Sequence, residues 1–327
     1  MRVAILGAGA TGGLLAVALS EAGHDVSILV RGPHLDAIRA NGLCLRDPSG
    51  QETVIRLHAT DDPVQLGPQD VLISTLKAPA LAQVISGLPA YLRDCPIIMA
   101  MNGVFWWYGV GFQPHDRPLD CTLLDPGAVL AGLLDATQIQ GAIIYATNQV
   151  VAPGVVQNRS ATNRFAIGGP VPSDLSENLA ASLCSARVEF THTGDIRYQM
   201  WHKLLRNLSS APISVLTGAR VREINQMPDT ARLARALFLE GADVARSHGF
   251  DGLADDVDQV IAPGKGALQV PSMRQDFDLG RPMEIDSMLR IVQHFARGAG
   301  VATPVLDVVL PLVVLAAQTA GCYPRPT

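Results

Sequence analysis

Residues 201–207 read WHKLLRN, with a lysine at the centre. The chain has 25 basic residues, and only Lys77, Lys203 and Lys265 are lysines; the other 22 are arginines. Wherever a plain positive charge serves, arginine has been accepted. Arginine stays protonated at any physiological pH, whereas a lysine amine can lose its proton once partly buried. A retained lysine is therefore a candidate proton donor, with codon usage as the plain alternative. At ~100° per helical residue, Ile196, Met200, Trp201, Leu204, Leu205 and Leu208 form one apolar side, while Gln199, His202 and Arg206 point away from it. Lys203 and Asn207, four apart, share the border. A side chain emerging into a cleft suits that border, and so does a lysine that snorkels.

The N-terminus holds a second chemical signal. Val3–Leu6 is a short β-branched run, GAGATG follows at 7–12, a helical pattern covers Gly13–Ala22, and a strand pattern covers Val26–Val30. Strand, glycine loop, helix and strand within ~30 residues is the setting a dinucleotide fingerprint requires. Gly7 permits the tight turn, Gly9 the approach of a pyrophosphate, and Gly12 the packing of helix on strand. Amides at the helix start face the phosphates, favoured by the helix dipole. Gly7, Ala8, Gly9, Ala10, Thr11 and Gly12 are thus the expected cofactor loop. The second strand ends Val30-Arg31-Gly32, with no acid to hold a ribose 2′-hydroxyl. Arg31 suits a 2′-phosphate, which favours NADP(H) over NAD and FAD.

These residues need a scaffold, and the rest of the chain supplies its pattern. Asp70–Leu76 reads as a strand delivering Lys77, and Ile97–Met101 as a strand delivering Asn102-Gly103. Open α/β sheets bind ligands just past the carboxyl ends of such strands. Lys77 also fits an ordinary loop charge, and Asn102-Gly103 a simple turn. The aromatic run FWWYGVGF (105–112) fits core, oligomer contact or pocket wall alike. Strand-like pieces at Ala142–Ala146, Val155–Asn158 and Arg164–Ile167 precede a helix (Leu175–Ala186) and a strand (Val188–Thr191). Beyond Gly194 only helical patterns remain. The expected fold is α/β: a Rossmann-type dinucleotide-binding domain over 1–194 and an all-helical domain over 195–327. At 327 residues the length suits roughly two domains of ~150 residues.

Within 272–286, SMRQDFDLGRPMEID, Glu284 is expected in the first turn of a helix towards Ala299. An acid is favoured there by the dipole alone. Asp276, Asp278, Glu284 and Asp286 lack EF-hand spacing, and no metal site is expected. No HExxH, GxSxG or P-loop pattern occurs. With 48% hydrophobic and 17% charged residues, the chain can bury sizeable cores and is far from disordered composition. A net charge of −5 without a basic run argues against nucleic acid. Five scattered cysteines argue for reduced thiols and a cytoplasmic compartment. The first strand is expected to begin at Arg2, so no leader is expected. The apolar stretch Val308–Ala317 contains Pro311 and is too short to span a bilayer.

Taken in order, GAGATG, LVRG around Arg31, TLKA around Lys77, MNG around Asn102, WHKLLRN, SMRQD and MEID resemble the ketopantoate reductase (2-dehydropantoate 2-reductase) family over nearly the whole chain. The resemblance implies an NADPH-dependent cytoplasmic enzyme of pantothenate biosynthesis, a monomer or homodimer, with a Rossmann domain and a helical domain. It implies that Arg31 and Lys77 hold the 2′-phosphate, that Asn102 lies beside nicotinamide and substrate, and that Ala146 is a further cofactor contact. It implies that Lys203 is the general acid, that Asn207 and Ser272 bind substrate, and that Glu284 holds the cofactor ribose and steers the lysine amine. Hydride would pass to the C2 carbonyl of a 2-oxo acid, with a positioned ammonium stabilising and protonating its oxygen.

Three departures bear on the substrate. Ala211 stands where the family often has asparagine, Gln269 sits in an unusual LQVPSM context, and the Phe105–Tyr108 segment replaces a plainer connection. They point to a bulkier or less hydroxylated 2-oxo acid as an alternative substrate. Oxidation of a hydroxy acid or an opine-like reaction is a related reading. A non-catalytic NADP-binding sensor, which needs the glycine loop and Arg31 but not Lys203 and Glu284, is the alternative of another class.

Overall fold

The computed structural model describes residues 1–114, 119–266, 268 and 270–325. The backbone forms two compact units, Met1–Met101 with Gly127–Ile196, and Asn102–Pro126 with Arg197–Thr327.

The first unit runs β1 (Arg2–Leu6), α1 (Ala10–Glu21), β2 (Asp25–Leu29), α2 (Pro33–Asn41), β3 (Leu43–Arg46), β4 (Glu52–Ile55) and β5 (His58–Thr60). Then come β6 (Val71–Ser74), α3 (Ala78–Ser86), α4 (Ala90–Arg93) and β7 (Ile97–Ala100). After residue 127 follow α5 (Val129–Leu133), β8 (Ile139–Tyr145), β9 (Asn148–Ala152), β10 (Val155–Asn158), β11 (Arg164–Gly168), α6 (Leu175–Leu183) and β12 (Glu189–His192). The main sheet has eight strands in the order β12-β11-β8-β7-β6-β1-β2-β5. All its pairs are parallel except β8 with β11. Parallel strands covered on both faces read as unbroken apolar runs. VLIS in β6 and IIMA in β7 are buried at every position.

A second sheet, β4-β3-β10-β9, has four short strands. Sequence patterning gives no sign of β3, β4 or β9, because their side chains are half in water and their apolar runs are brief. The helix α1 is buried on every side over Gly12–Leu19, packed with core residues of both sheets such as Ile5, Leu43 and Val156. That explains its lack of a polar face. The strand expected to run to Leu76 stops at Ser74, which frees Thr75 for a contact described below.

The second unit is helical: α7 (Ile196–Thr217), α8 (Val221–Gln226), α9 (Pro228–Ser247), α10 (Val257–Val260) and α11 (Ser272–Asp278). A π-helical turn (Asp286–Arg290) leads into α12 (Ile291–Ala299), and α13 (Pro304–Thr319) follows. The segment 102–126 groups with these helices, whereas the boundary at 194/195 leaves it in the first domain. Its aromatic run resolves as core. Phe105, Trp107 and Tyr108 are fully buried, and Arg197 donates through Nε to the Tyr108 carbonyl at 2.9 Å. Trp201 Nε1 donates to Tyr108 Oη at 2.8 Å, and the same hydroxyl shares a 2.8 Å hydrogen bond with His248 Nδ1. Buried Glu240 on α9 accepts from the amides of Val305 and Leu306, stabilising the positive end of α13. Among the described residues no helix is long and apolar enough to cross a membrane.

Candidate active site

The glycine loop follows from close packing. Gly7 turns the chain out of β1 at φ +93°. A Cβ on Gly12 would stand 1.9 Å from the Gly7 carbonyl oxygen and 2.7 Å from Thr75 Oγ1, so only glycine lets α1 approach there. Thr75 Oγ1 donates to that carbonyl at 2.7 Å and secures the turn. A Cβ on Gly9, by contrast, would meet nothing within 4 Å. The helix behind it has no side-chain cap and no acidic residue in its first turn. An open backbone flank at an uncapped, electropositive helix start fits a pyrophosphate.

Strand order gathers the other sequence-picked residues. The tips of β2, β1, β6, β7 and β8 lie side by side and parallel. Arg31 follows β2, the loop follows β1, Lys77 follows β6 and Ala146 follows β8. Strand order reverses at β1, with β2 on one side and β6 on the other, and this is the switch point where open α/β sheets take ligands. Arg31 is exposed and, among the described residues, has no hydrogen-bond or ion-pair partner. Lys77 is half-buried at the N-cap of α3, and Ala146 is half-buried against the core. These residues fit a dinucleotide.

In the helical unit a second set converges. Lys203 Nζ donates to Asn102 Oδ1 at 2.9 Å, and Asn102 Nδ2 donates to Glu284 Oε2 at 3.4 Å. The Asn102 amide thus bridges an ammonium and a carboxylate, each satisfied by the matching end of the amide. Desolvation lowers the Lys203 pKa from 10.5 to about 8, against the opposing pull of the Glu284 charge. Glu284 is only 7% exposed. An ammonium near neutrality at a desolvated point can both stabilise a growing alkoxide and protonate it.

Backbone geometry holds this set in register. Gly103, at φ +82°, lies against the π turn: the Val104 amide donates to the Ser287 carbonyl at 2.8 Å. Glu284 is not in the first helical turn, as the sequence pattern has it, but one residue ahead of the helix. Its carbonyl accepts from Met288 N at 3.2 Å. The neighbouring Met283 and Ile285 are buried, so the backbone around Glu284 is anchored on both sides.

Asn207 is half-buried one turn beyond Lys203, and Ser272 is exposed at the first position of α11. Neither side chain has a hydrogen-bond partner among the described residues. Among the described residues no hydrogen bond joins Ser272 to Lys203; α11 is tied to α7 by Arg274, which donates to the Ser214 carbonyl at 3.0 Å. Ala211 is 1% exposed and Phe105–Tyr108 are buried, packed as core. Gln269 lies outside the described residues. The acids near Glu284 have other partners: Asp278 pairs with Arg274, and Asp286 with Tyr323 and Arg290. Among the described residues no three His, Cys, Asp or Glu side chains form a metal-binding group.

Family models described as ketopantoate reductase PanE/ApbA and its C-terminal part match residues 3–105 and 195–316. A 2-dehydropantoate 2-reductase of Mesorhizobium japonicum is 38% identical over 99% of this chain and 100% of its own length. The chain belongs to the ketopantoate reductase family. A crystal structure provisionally assigned as a ketopantoate reductase of Ralstonia solanacearum superposes with TM-score 0.88 at 31% identity, covering 98% of this chain and 99% of that one. D-mandelate dehydrogenase, in a complex with NADH and anilino(oxo)acetate, superposes with TM-score 0.83 over 99% of this chain and 100% of its own. At 19% identity that likeness shows the fold alone. Membership of the ketopantoate reductase family makes the protein an oxidoreductase, with an α/β dinucleotide-binding part and a helical part.

Proposed function

We propose that this protein reduces 2-dehydropantoate to pantoate with NADPH. The observation that carries the reading is the Lys203–Asn102–Glu284 chain, with an amine whose pKa is lowered to about 8. When bound, reduced nicotinamide supplies the hydride for the C2 carbonyl carbon. Lys203 stabilises the negative charge that grows on the carbonyl oxygen and then delivers a proton to it, completing the 2-hydroxy acid. Asn102 fixes the ammonium through its amide oxygen, and Glu284 fixes the amide. Asn207 and Ser272, with hydrogen-bonding capacity to spare, take the polar groups of the substrate. In the other unit, the loop Gly7–Gly12 holds the pyrophosphate while Arg31 and Lys77 hold the 2′-phosphate. A sensor would have no use for a desolvated amine held by two polar side chains. A 2-oxo acid substrate is also in keeping with the name of the 38%-identical relative.

The test follows NADPH oxidation against a panel of 2-oxo acids that includes 2-dehydropantoate. The expected result is the highest kcat/KM on 2-dehydropantoate. A higher value on an apolar 2-oxo acid would move the assignment to that substrate.

Cofactor choice has its own test. Arg31→Asp is expected to weaken NADPH binding by about 10- to 100-fold, since a charge-assisted hydrogen bond is lost and a carboxylate repels the phosphate. NADH binding should hold or improve, because the carboxylate can accept from a 2′-hydroxyl. Dissociation constants from nicotinamide fluorescence check this; equal wild-type affinity for the two cofactors would contradict the NADP reading.

A further inference from the structure

We infer that His34 is a positioning residue for the cofactor loop, and that the small second sheet braces that loop through it. The inference rests on the NADP reading above.

The ring of His34 stands at a three-way junction. Its Nε2 lies 2.7 Å from the Ala8 carbonyl oxygen, and its Nδ1 accepts from the Gly154 amide at 2.8 Å. A carbonyl can only accept and an amide can only donate, so the two partners determine the protonation of the ring. His34 is neutral, with its proton on Nε2 and given to Ala8. No other imidazole form satisfies both neighbours.

Each partner belongs to a different piece of the unit. Ala8 is the middle residue of the Gly7-Ala8-Gly9 turn. Gly154 lies between β9 and β10, and its carbonyl accepts from Cys44 N on β3 at 2.9 Å. His34 itself is in the first turn of α2, three residues after Arg31. One ring therefore ties the glycine loop, the Arg31 corner and the second sheet together.

The consequence for binding comes from peptide geometry. In a trans peptide the carbonyl and the following N–H point in opposite directions. Holding the Ala8 carbonyl on the ring therefore aims the Gly9 N–H away from His34. The Thr75 hydroxyl fixes the Gly7 carbonyl; among the described residues His34 is the side chain that fixes the next peptide. With that peptide free to rotate, an amide meant for phosphate would have to be ordered at each binding event, which weakens affinity.

Two substitutions separate the two bonds. His34→Gln places an amide N–H near the position of Nε2 and keeps the donor to Ala8. His34→Asn places a carbonyl near the position of Nδ1 and keeps only the acceptor for Gly154. In the full-length protein, His34→Asn and His34→Ala are expected to raise the NADPH dissociation constant and KM by about ten-fold. His34→Gln should recover most of that loss, and kcat at saturating NADPH should stay within about two-fold of wild type in all three. Long-range ¹⁵N–¹H spectra of the unsubstituted protein should place the His34 proton on Nε2, a readout that needs no variant to fold. Wild-type affinity in His34→Asn, equal losses in His34→Gln and His34→Ala, or a proton on Nδ1 would each overturn the inference. If the wild type binds NADH rather than NADPH, the same series read with NADH decides it, and only the 2′-phosphate assignment fails. If it binds neither, the inference falls with the reading beneath it.

Discussion

Lys203→Ala should lower kcat by roughly 10²–10⁴-fold, the usual worth of a positioned acid, while NADPH affinity stays within about two-fold. The more telling exchange is Lys203→Arg, because this chain uses arginine for 22 of its 25 basic residues. Arginine keeps the charge and can still polarise a carbonyl, but it does not surrender a proton near neutrality. Its planar head also fits poorly where a compact ammonium meets a single amide oxygen. Lys203→Arg is expected to fold, bind NADPH and lose most of its turnover. Near-wild-type kcat in this variant would reduce Lys203 to an electrostatic charge and the rare lysine to an accident of composition.

The pH profile carries the same assignment. In the proposed reaction the protonated amine is the active form, and its pKa is lowered to about 8 by desolvation. Wild-type kcat/KM should therefore fall as pH rises through about 8, a limb that Lys203→Arg should lack. Stability moves the other way. The folded amine holds its proton more weakly than the unfolded one, so burying it costs stability below about pH 8, and that cost fades between about 8 and 10.5. Lys203→Met, of similar length and without charge, should consequently fold at least as well as wild type at neutral pH. That variant separates catalytic loss from structural loss.

The parts of this site that rest on local periodicity are readable from the residues alone. The apolar side of α7 and the border position of Lys203 follow from helical spacing, and Met200, Trp201, Leu204, Leu205 and Leu208 are buried accordingly. The glycine loop is equally legible, since a turn, a close helix approach and an open flank each demand their own glycine. What escapes is whatever depends on contacts distant in sequence. The Asn102 amide meets Lys203 across 101 residues and Glu284 across 182. Nothing in MEID signals a π turn, because its hydrogen bonds follow from how neighbouring segments pack. The aromatic run 105–112 is ambiguous for the same reason: the partners that bury Tyr108, Trp201 and His248 among them, are distant in sequence. His34 looks like an ordinary polar residue in a helical first turn until Gly154, 120 residues away, is seen to donate to it.

That dependence on distant backbone makes Gly103 a vulnerable point of the Lys203–Asn102–Glu284 set. At φ +82° an L-residue is strained by about 1–2 kcal/mol, which the fold could absorb. The neighbours are the larger obstacle. A Cβ on Gly103 would stand 2.4 Å from the Ser287 carbonyl oxygen, 2.6 Å from its carbon and 2.8 Å from its Oγ. Those atoms are buried in the π turn and cannot swing aside as a flexible side chain would. In Gly103→Ala either residues 102–104 or the π turn must move, and the 3.4 Å bond from Asn102 to Glu284 spans the two. Displacement of about 1 Å at a positioned group can cost on the order of 10² in rate, so kcat is expected to fall about 100-fold. NADPH affinity should change far less, because the glycine loop and Arg31 belong to the other unit. Moving Glu284 away also removes the charge that opposes desolvation of Lys203, so the alkaline limb should shift to lower pH. Gly300→Ala is the control: φ there is +70°, yet a Cβ would meet nothing within 4 Å. It should show the backbone strain as a small loss of Tm and leave kcat and the pH limb unchanged. If Gly103→Ala behaves like Gly300→Ala, the contact with Ser287 does not set the position of Asn102.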